Sequence, residues 1–90
     1  MNTEDVICSK ITFKILKALA KFGQLNVTSL ADDVGTGYAE TYKRLQILKD
    51  EDVVSERRFG RIRMFRLNEQ SSKVRAIRSL LVDWEQKKNP

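Results

Sequence analysis

Histidine is absent from this sequence, and cysteine and proline each occur once. Without an imidazole there is no ready general base near neutral pH and no nitrogen ligand for a transition metal. Cys8 has no partner for an internal disulfide, which fits a reducing cytoplasm. It reads as a small packed residue, although the lysine-flanked setting leaves a redox role open. Glycine occurs four times, never in the spacing of a phosphate-binding loop. No catalytic constellation is visible, so the expectation is a protein that is not an enzyme and takes no cofactor and no metal. No apolar run approaches the ~20 residues a membrane span needs, and the opening "MNTEDVICSK" is acidic, unlike a signal or transit peptide. The lone proline, Pro90, interrupts no element.

What the sequence does carry is an apolar share of 41% in 90 residues and a net charge of +5. That is enough for one domain around one small core. The charge is unevenly placed. Acids fall mainly at positions 4–5, 32–33 and 50–52, whereas "RRFGRIRMFRL" at 57–67 holds five arginines and no acid. Guanidiniums so close together repel one another unless an anion lies against them. The stretch therefore predicts a polyanionic partner.

Periodicity supplies the frame. Val6, Ile7, Ile11, Ile15, Leu16 and Leu19 recur at helical spacing behind a cap at Asn2 or Thr3. This first helix should close at Gly23, with a weak point near Ser9 where Thr12 and Phe13 interrupt the pattern. Residues 25–27 are too few for a free strand but can pair at a sheet edge. A short helix capped by Thr28 then turns Leu30, Ala31 and Val34 inward and ends at Gly35. After "GTG", a third helix runs from Tyr38 to about Asp50 with Thr41, Leu45 and Leu48 facing inward. Residues 53–58 and 61–67 straddle Phe59–Gly60 as a β-hairpin, with Arg61, Arg63, Phe65 and Leu67 on one face. A last helix, capped by Asn68 or Ser71, reaches about Lys87. The fold class is α+β, mainly α: a winged helix-turn-helix with a two-stranded hairpin wing over residues 10–68 and a C-terminal dimerisation helix over 69–88.

Within this frame, "TYKRLQILKDEDVVSERRFGRIRMFRL" resembles the winged-helix repressors of the ArsR type, and less closely the MarR type. The matching features are Leu45 and Leu48 closing the helix, Val53 and Val54 after a short turn, Arg57 and Arg58, Gly60 and Arg61, and the close Phe65-Arg66-Leu67. Upstream, "ILKALAKFGQLNVTSLADDVG" is similar to the family's first two helices, so the resemblance covers residues 11–68. It departs in two places. The paired cysteines, histidines and carboxylates of the family's metal sensors are missing, so metal sensing of that kind is not expected. Asp50, Glu51 and Asp52 stand where the family usually has alanine-glycine, and this acidic turn is expected to lie away from DNA.

The expected partner is double-stranded DNA, bound as a homodimer by a transcriptional regulator that represses by occlusion. On the third helix, Tyr38, Ala39, Glu40, Tyr42, Lys43 and Gln46 fall opposite the buried positions and can meet base edges in the major groove. Gln46 suits adenine, and Lys43 suits guanine or a phosphate. Thr28, Ser29 and Arg44 are candidates for the backbone, Thr28 being explained equally well as a cap. Arg57, Arg58, Gly60, Arg61 and Arg63 form a wing for phosphate and minor groove. The alternative for Arg57, Arg63 and Arg66 is pairing with Glu56 or the acidic turn. Val74, Ile77, Leu81 and Trp84, with Leu80 beside them, make an a/d seam for a dimer, covered in part by Val6, Ile7 and Ile11. The same seam can instead pack on its own domain. Two other functions use the same surfaces: an architectural DNA coater without sequence preference, and a winged-helix module that binds protein.

Overall fold

The computed structural model describes residues 9–88, with side chains described as far as residue 82. The proposed first cap at Asn2 or Thr3, together with Val6, Ile7 and Cys8, lies outside these residues, as does the side chain of Trp84. Helix α1 spans Lys10–Phe22 and begins at the weak point near Ser9, whose side chain accepts from the backbone N–H of Thr12. It buries Ile15, Leu16, Ala18 and Leu19 and closes on Gly23, whose N–H donates to the Leu19 carbonyl.

The chain then pairs as strand β1, Gln24–Asn26, and turns directly into helix α2, Val27–Val34. Here the expected cap is corrected. Asn26, still in extended conformation, accepts the Ser29 N–H at 2.8 Å on its Oδ1, so the last residue of the strand is also the first cap of the helix. Thr28 sits one residue inside and is free for other work. Asn26→Ala should therefore cost about 1 kcal/mol in a denaturation experiment. Thr28→Ala, at an exposed position, should stay within about 0.5 kcal/mol. Equal losses for the two would return the cap to Thr28.

Helix α3, Tyr38–Asp50, buries Thr41, Leu45 and Leu48 as the periodicity requires. Its cap, Gly37, has no side chain to offer, and the Thr41 hydroxyl donates back to the Gly37 carbonyl at 2.9 Å. The acidic turn that follows holds a backbone conformation that favours glycine. Asp52 has φ +62°, the left-handed region that a glycine would occupy at no cost and that aspartate tolerates better than most residues. Its carbonyl accepts from Asn68 Nδ2 at 3.1 Å, and Glu51 pairs with Lys73 at 3.1 Å. Glu51 thus fastens the turn to the start of the last helix, and the Asp52 backbone fastens it to the loop before that helix.

Strands β2, Val54–Phe59, and β3, Ile62–Leu67, form the hairpin, and β1 adds to its far side to give the antiparallel order β1-β3-β2. The register pairs Phe59 with Ile62, so the turn is Gly60-Arg61, one residue later than expected. Gly60 has φ +62° while Arg61 stays out of the positive region, an arrangement that suits a II′ hairpin with glycine first. Phe65 and Leu67 are sealed in the core with Ile15, Leu19, Leu30, Leu45 and Leu48, and β3 is the central strand on which the helices close.

Helix α4, Ser72–Lys88, starts on the Ser71 carbonyl, while Asn68 accepts from Gln70 and holds the loop. Arg78 Nε donates to both carboxylate oxygens of Glu69 at 2.9 Å, which keeps that carboxyl below its usual range. The dimer seam needs correction. Val74 is fully buried in its own chain's core, and Leu81 is only 6% exposed within the single chain. Ile77 and Ile11 are half-buried against the same core. Among the described side chains of α4, the large apolar ones left open are Leu80 and Val82, both more than half exposed.

Candidate nucleic-acid interface

Three elements meet at one cleft of about 510 Å³. It is lined by Asn26, Val27 and Thr28 at the start of α2, Tyr38 and Tyr42 on α3, and Arg61, Ile62 and Arg63 from the wing. The chain folds this way because β1 ends at Asn26. Past that residue the edge of β3 runs on alone toward the hairpin tip, and the start of α2 turns away from it. Thr28 and Ser29 are both exposed at this helix start, the positive end of its dipole.

Of the candidate base-contacting residues on α3, Tyr38, Ala39 and Lys43 are exposed. The rings of Tyr38 and Tyr42 lie nearly parallel, 4° apart with centroids 6.3 Å apart. Tyr38 stays exposed, while Tyr42 packs partly against the core. Its hydroxyl accepts a hydrogen bond from Arg63 Nη1, and the Arg63 guanidinium carbon lies 5.4 Å from the centre of its ring. Arg63 is also 3.6 Å from Glu56, which binds Lys49 at 3.0 Å. Arg63 therefore ties the wing to α3. The alternative of pairing on the protein's own surface describes Arg63; Arg66 lies near enough to Glu69 to help lower that carboxyl, while Arg57 finds no such partner among the described residues. Arg57, Arg58 and Arg61 are exposed, and among the described residues no carboxylate lies within ion-pair distance of them. Gly60 allows the turn that spaces them.

Three of the expected contact residues, Arg44, Glu40 and Gln46, are engaged or enclosed elsewhere in the fold. Arg44 is 8% exposed. Its Nη1 donates to Ser9 Oγ at 2.7 Å and less closely to Thr12 Oγ1, and its Nη2 lies 2.9 Å from Glu40. Position 44 falls on the buried side of α3, so the guanidinium joins α3 to the first turn of α1 instead of meeting a DNA backbone. Glu40 is occupied by the same pair, which leaves it less free for the base contact expected of it. Gln46 is half-buried, with Nε2 closed off from solvent and without an acceptor. A two-point pairing with adenine needs both amide atoms free, so this conformation does not offer it. The Ser9–Thr12–Arg44–Glu40 cluster is what the sequence reading missed. Its traces were Thr12 on an otherwise apolar helix face and a Glu-to-Arg spacing of four.

No protein-family model matches the sequence and no curated protein matches it; the similarity is one of structure. The chain superposes on the transcriptional repressor BigR of Xylella fastidiosa with a TM-score of 0.81 at 18% identity, over 99% of this chain and 86% of that one. The antimony-specific transcriptional repressor AntR gives 0.77 at 27% identity, over 98% and 78%. A homodimeric winged helix-turn-helix DNA-binding domain, Mb0332 of Mycobacterium bovis, described as a possible ArsR-family regulator, gives 0.77 at 23% identity, over 94% and 77%.

Proposed function

We propose that this chain, which carries the winged helix-turn-helix fold of the ArsR-type transcriptional regulators, binds double-stranded DNA in a sequence-specific manner as a homodimer and represses by occupying its site. One observation carries the reading: Thr28 at the start of α2, Tyr38 and Tyr42 on α3 and the unpaired Arg61 of the wing line a single cleft, and Ser29, Ala39, Lys43, Arg57 and Arg58 are exposed on the same three elements. A duplex satisfies each of them. Tyr38, Ala39 and Lys43 meet base edges in the major groove, with the Tyr42 ring beside them. Thr28 and Ser29 hold a phosphate at the helix start. Arg58 and Arg61 follow the backbone into the minor groove, with Arg57 flanking. In the acidic turn at 50–52, Glu51 is engaged by Lys73 of α4, and the turn is placed away from the duplex.

The homodimer is drawn through α4, now by way of Leu80 and Val82 in place of Val74 and Leu81. Two copies would set their α3 helices about 34 Å apart, one turn of DNA. The protein would work in the cytoplasm, without metal or cofactor.

Arg61→Ala should weaken binding to every duplex and reduce the slope of log K against log salt by about 0.9, the share of one phosphate contact. Fluorescence anisotropy across a salt series reads this directly, and an unchanged slope would remove Arg61 from the interface. Lys43→Ala and Tyr38→Ala should instead change which sequences are preferred, measured by competition between duplexes. A loss that is uniform over all sequences would argue against base reading by α3.

A further inference from the structure

Phe59 and Ile62 pose a problem that the wing's charge does not solve. They are directly paired across the hairpin, immediately before and after the Gly60-Arg61 turn, and both are about half exposed, at 51% and 52%. Directly opposite residues on an antiparallel ribbon project from the same face with their Cβ atoms about 5 Å apart. The pair therefore forms one continuous apolar surface at the outermost point of the wing. Alternation puts it on the face opposite Val54, Phe65 and Leu67, so it makes no part of the core. Arg58 precedes it, Arg61 lies inside it, and both are exposed without a carboxylate among the described residues. A hairpin tip needs no phenylalanine for its turn, and mutual contact between the two side chains buries only part of each.

We propose that this pair is an apolar wedge that inserts from the minor groove between two base pairs, partly unstacks them and bends the duplex. The inference rests on the DNA-binding reading and adds to it a contact that is neither phosphate pairing nor major-groove readout. Apolar side chains carried on basic scaffolds kink DNA in this way, and the flexible pyrimidine–purine steps open at the lowest cost. Charge decides the occupant. Arginines directly beside the pair, with no acid between them, repel a second basic surface and draw a polyanion, so the apolar patch is delivered to a groove wall. Arg63 supports the insertion from behind, since its bond to Tyr42 and its pairing with Glu56 hold the base of the wing against α3. The wedge would give the protein a preference for deformable steps at positions where no side chain reads a base edge.

The experiment uses the full chain and short duplexes with 2-aminopurine beside a central TA step and a dye at each end. Fluorescence of the base analogue reports unstacking, and energy transfer between the dyes reports bending. The wild-type chain should raise the first and shift the second. The double variant Phe59→Ser with Ile62→Ser should lose both signals and bind roughly tenfold more weakly, with an unchanged salt slope because the arginines remain. Ile62→Val, which keeps the apolar surface, should retain both signals. Wild-type binding that leaves the duplex stacked and straight overturns the wedge while leaving the DNA-binding reading intact. So does a double variant that bends DNA as well as the wild type. Loss of self-association in the double variant, without a change in bending, would reassign the pair to a protein contact. A wild-type chain that binds no duplex at all removes both the wedge and the reading beneath it.

Discussion

Replacing Phe65 by alanine should destabilise the protein by about 3–5 kcal/mol. Phe65 is fully buried on the central strand, opposite Leu25 on one side and Glu56 on the other, within the cluster that joins α1, α2, α3 and the hairpin. Alanine would remove most of a large ring from a place where no neighbour can follow it, because β3 is held by hydrogen bonds along both edges. Domains of this kind are stabilised by only about 0.05–0.15 kcal/mol per residue. The loss is therefore a large share of the total, and the wing should detach together with the core. Urea denaturation followed by circular dichroism measures it, with Asp33→Ala, at an exposed position, as the control that should stay within about 0.5 kcal/mol. A cost below about 1 kcal/mol for Phe65→Ala would mean that β3 does not anchor the helices.

The second large effect belongs to the wing. Changing Arg57, Arg58 and Arg61 together to alanine should lower affinity for any duplex on the order of a hundredfold at moderate salt and reduce the salt slope by about 2.7. These three are the wing arginines without a partner on the protein among the described residues, so their full charge is available to DNA. Arg63→Ala should behave differently. Its guanidinium is already engaged by Tyr42 and Glu56, so its loss should loosen the wing and weaken binding with little change in slope. If the triple variant and Arg63→Ala show the same slope, the division between contacting and anchoring arginines is wrong. Thermal melting of the triple variant should match the wild type, since all three side chains are exposed.

The contrast between these arginines shows what the sequence can and cannot convey. Helical and alternating periodicity located α2, α3 and the hairpin, because apolar side chains must reach one core and their spacing records the direction. Phe65 and Leu67 were legible for that reason. The cap at Asn26 was not, since a strand of three residues leaves no periodic trace and asparagine and threonine cap by the same chemistry. The division of the arginines was also hidden. Five identical side chains within ten residues carry no sign of which will meet Tyr42 or Glu56, because those partners come from another element or the opposite strand. Arg44 shows the same limit from the other direction: a charged residue on the inner side of α3 is stable only because Ser9, Thr12 and Glu40 are brought to it by the fold. An a/d pattern on α4 fits a partner helix and its own core equally well, and for Val74 the core takes it.

Sequence-specific binding to duplex DNA is the central claim, and selection from a pool of random duplexes at two salt concentrations tests it most directly. The expected result is an enriched palindrome, with half-sites about ten base pairs apart, that persists at the higher salt. Salt-sensitive binding with no enriched motif, or no binding at either salt, would contradict it.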